Sequence, residues 1–198
     1  MSTEDNLVQR VKKNAFYLPD TGFQDAFIRG IWRKYNSEFE GRHVIDIGAG
    51  KKLDFLPHAL YAGAKNYSAV EPCEDHYNYA KNILDGWIKT EQVDEMWAKL
   101  VYADALEYLV KQTSNNHLVV SFGVFGEFQS EVSEEVEHQY MQEYAKEVHR
   151  ITLPGALTVQ GPLARGYGKY FEGAGFKQED VDNVSLVCFD HPLWRKEG

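Results

Sequence analysis

Three carboxylates and a pair of glycines stand at the ends of short apolar runs. "VIDIGAG" carries Asp46 and then Gly48, Ala49 and Gly50; "YSAVEP" ends on Glu71 and Pro72; "YADALEYL" places Asp104 and Ala105 after a third run; "HLVVSFGVF" reaches Ser121, Phe122 and Gly123. Glycines let a backbone come close to a ligand and turn sharply into a helix, whose first N–H groups then face that ligand. A carboxylate closing one strand can accept both hydroxyls of a ribose. A second, closing another strand, can accept the exocyclic amine of adenine, and Pro72 or Leu106 can pack on the ring.

Such residues act together only if the chain carries them to one place. "HVIDIGA" is a β-branched run ending in glycines and predicts a buried strand. "LDFLPHALYAGA" follows at near-helical spacing, with Gly63 suited to close the helix. "YSAVEP" is a second strand, and Glu74 and Asp75 open a helix whose dipole favours acids in its first turn. "AKLVYADALEYL" reads as a third strand and a short helix, "HLVVSFGVF" as the fourth strand and "PGALTVQGP" as the fifth. Between the last two, Val132, Val136, Tyr140, Tyr144 and Val148 recur every four residues and predict a long amphipathic helix. "GFKQEDV" and "NVSLVCF" suggest a terminal hairpin. Alternating strands and helices predict an α/β, doubly wound, mostly parallel sheet, with the ligand at the carboxyl ends of the strands.

The composition supports one domain over residues 1–198. With 43% hydrophobic residues the 198-residue chain can bury a core. A formal charge of -9 and only scattered lysine and arginine pairs make nucleic acid an unlikely partner. Cys73 and Cys188 read as reduced structural thiols, the start lacks an apolar leader, and no run approaches a membrane span, which together predict a cytoplasmic protein. Residues 1–40 read as a helical, aromatic-rich lid over a core at 41–198.

In order and spacing, the four segments resemble the motifs of the class I S-adenosylmethionine-dependent methyltransferases. "VIDIGAG" looks like their first motif, "YSAVEP" their second, "YADALEYL" their third, and "PGALTVQGP" their fifth-strand segment, over roughly residues 43–190. The resemblance implies a Rossmann-like fold with seven strands, the last antiparallel. It implies S-adenosylmethionine as cofactor, with Asp46 near the methionine amino group and Gly48, Ala49 and Gly50 behind the methionyl part. Glu71 falls in the ribose place, Asp104 in the adenine place, with Pro72 and Ala105 beside them, and Ser121 and Phe122 close the pocket. Lys51 is placed to approach the donor's carboxylate, while Lys52 starts the following helix and faces solvent.

Two departures shape the reading. Lys52 stands where the family often has a third glycine, and "SFGVFGEF" lacks the Asn/Asp-Pro-Pro-aromatic signature of base methylation. A nicotinamide or flavin dehydrogenase needs the third glycine of G-x-G-x-x-G. A P-loop needs glycine at position 45 and Ser or Thr after a Gly-Lys pair, and Ile45 fails the first condition. The seven histidines form no His-x-His or His-x-x-x-His pair, so no metal is expected.

Methyl transfer from a sulfonium expels a neutral thioether, so positioning and water exclusion carry much of the catalysis. No motif marks a catalytic residue; Tyr17, Glu127 and His149 are the candidates on the acceptor side. The expectation is N- or O-methylation of a small-molecule acceptor. The alternatives are methylation of a protein, or a cofactor-binding regulatory or scaffold protein without turnover, because fold does not fix function. Acceptor and oligomeric state stay open.

Overall fold

The protein is described from a computed structural model covering residues 34–113, 115–122, 134–161, 167–179 and 193–198. Its strands are β1 (His43–Ile47), β2 (Asn66–Glu71), β3 (Ala98–Tyr102), β4 (His117–Phe122), β5 (Leu157–Gly161), β6 (Phe176–Gln178) and β7 (Leu193–Lys196). The helices between them are α1 (Leu56–Tyr61), α2 (Glu74–Lys89), α3 (Ala105–Val110), α4 (Glu134–Ile151) and α5 (Gly168–Gly173). They form a seven-stranded sheet in the order β3-β2-β1-β4-β5-β7-β6. β1 pairs in parallel with both β2 and β4, and β7 runs antiparallel to β5 and β6. The mostly parallel, doubly wound sheet is the architecture expected.

Strand order reverses between β1 and β4, so a crevice opens at their carboxyl ends. The strands alternate between two buried layers. Val44, Tyr67, Ala69, Leu118 and Val120 face α1 and α2, whereas Ile45, Ile47, Val70 and Val119 face α3, α4 and α5. Covering both faces explains why these strands are almost continuously apolar.

Three local readings change. α1 begins at Leu56, and Lys52 lies in the preceding turn. Leu53 has φ of 54°, a left-handed conformation that a helix cannot propagate through. The terminal hairpin is completed by Leu193–Lys196, paired with Phe176–Gln178; "NVSLVCF" lies outside the described residues. Cys73 is exposed at the N-cap of α2 and is not a core thiol, while Cys188 is outside the described residues.

Of the expected lid, residues 1–33 lie outside the described part. Residues 34–39 are helical, and Tyr35 and Phe39 are buried against the α1 side of the sheet. Arg195 on β7 holds this turn through Glu38 at 3.0 Å and also pairs with Glu179. No helix among the described residues is long and apolar enough to cross a membrane.

Candidate functional site at the strand carboxyl ends

The loop after β1 is built by its own amides. Gly48 and Gly50 have φ of 66° and 65°, where a Cβ is penalised. The amides of Gly48 and Ala49 both donate to the Val70 carbonyl, at 2.8 and 3.2 Å, which lays the loop across the end of β2. Glu71, only 4% exposed, completes the tie. Its Oε2 accepts from the Gly50 amide at 2.8 Å and its Oε1 from the Cys73 amide at 2.9 Å. A carboxylate has about four lone-pair sites, so each oxygen keeps capacity for a ligand. Leu53, fully buried with positive φ, stores strain of about 1–3 kcal/mol in the same loop.

Asp46, 3% exposed, lies beneath this loop and accepts from the Tyr67 hydroxyl. Burial pushes its carboxyl up to about 7, Asp54 and Glu71 add to the rise, and the Tyr67 hydrogen bond opposes it. Tyr67 is itself raised well above the usual phenol range, by burial first and then by Asp46. A buried carboxyl so perturbed marks a candidate functional position.

Asp104 is the N-cap of α3. Its Oδ1 accepts from the Leu106 amide at 2.8 Å and the Glu107 amide at 3.3 Å. Tyr140 of α4 donates to Oδ2 at 2.9 Å, and burial next to Asp104 raises the Tyr140 phenol. Ala105 is buried and Pro72 exposed beside the two carboxylates.

Ser121, buried at the end of β4, is in register with Gln160 of β5. The Tyr144 hydroxyl donates to Gln160 Oε1 at 2.9 Å, Gln160 Nε2 to Thr158 Oγ1 at 2.8 Å, and Thr158 Oγ1 to the Val119 carbonyl at 2.7 Å. A buried polar chain satisfied this way fixes its side chains. Phe122 ends β4 in the same row.

Thus Asp46, Gly48, Ala49, Gly50, Glu71, Asp104 and Ser121 converge from four strand ends. Lys51 and Lys52 are exposed. Tyr17 and Glu127 lie outside the described residues. His149 is elsewhere: α4 descends from the carboxyl edge, and just beyond its end Thr152 bridges to His117, where β4 begins. His149 therefore sits at the amino edge of the sheet, packed at 5.2 Å on the Phe176 ring, and its imidazole is lowered by burial and then by Lys196. Sequence reasoning missed Tyr67, Tyr140, Tyr144 and Gln160. Tyr140 and Tyr144 were read as apolar stripe, although their hydroxyls carried a second signal; Gln160, a polar residue inside an apolar strand, was the clearest available hint.

No protein-family model matches the sequence, and a search of curated proteins gives no match. Solved structures do match. Magnesium protoporphyrin IX methyltransferase from Synechocystis PCC 6803, solved with bound S-adenosylmethionine, is similar at TM-score 0.61 and 12% identity, over 99% of this chain and 92% of that one. A putative sarcosine dimethylglycine methyltransferase from Galdieria sulphuraria matches at TM-score 0.60 and 10% identity, over 88% and 85%. A putative RNA methyltransferase from Pyrococcus horikoshii matches at TM-score 0.51 and 17% identity, over 89% and 83%. This is the fold of the class I S-adenosylmethionine-dependent methyltransferases. The chemistry of the site suits such a donor. A class I methyltransferase crevice must take an ammonium, a ribose and an adenine, and these strand ends present a buried carboxyl, a braced carboxylate with spare lone pairs and a helix-capping carboxylate.

Proposed function

We propose that this chain is an S-adenosylmethionine-dependent methyltransferase acting on a small-molecule acceptor. The observation that carries the reading is Glu71, buried at the carboxyl end of β2 and tied to the Gly50 amide at 2.8 Å. One side chain thereby couples the glycine loop to the position suited to a ribose diol.

When bound, the donor supplies an activated methyl group on sulfur. The chain's task is to bind and orient. Asp46 pairs with the donor's ammonium, Glu71 accepts from the ribose hydroxyls, and Asp104 accepts from the adenine amine. Gly48, Ala49 and Gly50 allow close backbone approach, Pro72 and Ala105 flank the base, and Ser121 and Phe122 border the reacting end. Lys51 lies near enough in sequence to meet the donor's carboxylate. Holding the acceptor in line and excluding water then accounts for the rate, with no acid needed for the leaving thioether. A small acceptor is favoured over nucleic acid by the net charge of -9 and the lack of a basic stripe in the sequence.

Calorimetry with S-adenosylmethionine, S-adenosylhomocysteine and a nicotinamide dinucleotide tests the cofactor. Binding of both sulfur compounds and not of the dinucleotide is expected; a folded protein that binds neither sulfur compound defeats the reading. Turnover is then followed with labelled donor on amines, phenols, porphyrins, a protein extract and RNA. Label on a small molecule supports the acceptor class. Label on RNA or protein alone overturns that class, and saturable binding without transfer to any of them assigns the chain a non-catalytic role.

A further inference from the structure

A second chemistry is built into the corner between β2 and α2. Glu71, Cys73 and His76 each offer one ligand atom, and the three atoms lie within 4.8 Å of one another. Their spacing follows from the local fold. Glu71 ends the strand, Cys73 is the N-cap, and His76 comes one turn later on the same helix face. Pro72 fixes the backbone of the corner between strand and helix. The His76 Nδ1 is already 3.8 Å from Glu71 Oε1.

We infer that these three side chains form a site for a thiophilic divalent cation of the Zn2+ type. Thiolate, imidazole and carboxylate are the donor set such a cation selects, at about 2.0–2.3 Å from the metal. Tetrahedral ligands at those lengths are about 3.5 Å apart, so the trio needs only a modest contraction. The freedom for it exists: Cys73 is exposed and His76 half-buried, while Glu71 is held rigid by two amides. Each Glu71 oxygen accepts one amide, which leaves lone pairs for a metal. On binding, the Cys73 thiol releases its proton to solvent and its sulfur becomes the metal ligand. Three protein ligands leave the fourth position to water.

The position has a consequence that rests on the proposed role of Glu71. A ribose diol uses both of the lone pairs that Glu71 has left, so a metal that takes one of them competes with the methyl donor.

The test uses Co2+ as an optical probe and Zn2+ by calorimetry on the full chain. A thiolate-to-cobalt absorption band, displaced by one equivalent of Zn2+, is expected. Cys73→Ser should abolish the band and His76→Gln should weaken Zn2+ binding at least tenfold, with donor affinity unchanged in both. Absence of the thiolate band, or equal Zn2+ affinity in Cys73→Ser and the parent, overturns the site. Competition is read separately. Zn2+ should weaken S-adenosylmethionine binding at least tenfold in the parent and have no effect in Cys73→Ser. If the band forms and donor affinity does not move, competition and the ribose role of Glu71 both fall. If the donor never binds, the cobalt band still decides the metal site.

Discussion

The Tyr67 hydroxyl donates to Asp46 Oδ2 inside the sheet, joining β1 to β2 directly beneath the glycine loop. Burial, with Asp54 and Glu71, pushes this carboxyl up and the Tyr67 bond opposes the rise, leaving it at about 7. The balance makes Asp46 sensitive to pH near neutrality.

In the proposed function the donor's ammonium pairs with ionised Asp46, whose carboxyl burial raises to about 7 in the free protein. Affinity for S-adenosylmethionine should therefore rise with pH, up to tenfold per unit below about 7, and level off above it. Calorimetry in two buffers of different ionisation heat will show proton release below that pH. Tyr67→Phe removes the lowering influence, so its affinity should level off at a higher pH. Asp46→Asn should bind at least tenfold more weakly with a flat profile.

Stability of the free protein should move the other way. Asp46 keeps its proton to about pH 7 when folded and only to about 3.8 when unfolded. The unfolded state binds fewer protons in between, so its stabilising contribution is present below about pH 4 and is lost as pH rises through 7. Asp46→Asn should match the parent near pH 4 and be more stable by a few kcal/mol above pH 7, as read from urea midpoints.

At the opposite edge, His43 and His117 pack edge to face at 4.7 Å. Burial lowers both, followed for His43 by His117 and Lys99, and for His117 by Lys99 and Arg150; His43 falls to about 4. The folded state holds both neutral while the unfolded chain takes up protons below about 6.5, so stability should fall as pH drops from 6.5 towards 4. His117→Phe should flatten that slope in acid-unfolding curves while leaving donor affinity at pH 8 unchanged.

In the proposed function Tyr140 acts on the donor through Asp104, to which its hydroxyl donates. Without its hydroxyl the carboxylate loses one hydrogen bond, while the Leu106 and Glu107 amides still hold Oδ1. Tyr140→Phe should raise the KM for S-adenosylmethionine about three- to tenfold with kcat nearly unchanged, on the order of 1 kcal/mol for one such bond. A fall in kcat alone would remove Tyr140 from donor binding.

Much of the sheet was legible because its strands are buried on both faces and read as apolar runs closed by glycine, proline or acid. The places of Asp46, Glu71 and Asp104 were legible because each stands near, at or just past the end of such a run. Lys52 was misplaced because the left-handed turn at Leu53 has no signature in a leucine. β7 was missed because Arg195 and Lys196 make "LWRK" look like a polar tail. In the fold, their charges are taken up by Glu38, Glu179 and the His149 and Thr152 carbonyls. His149 was misjudged because periodicity shows which face of α4 is apolar but not how far along the sheet each residue falls.

The place of β7 between β5 and β6 bears on how the chain folds. The strand latest in sequence fills an interior slot, so until Leu193–Lys196 docks, β5 shows water a row of unpaired backbone groups. Such an edge invites pairing with other chains. The hazard of misassembly thus falls on β5 in any state in which β7 is undocked.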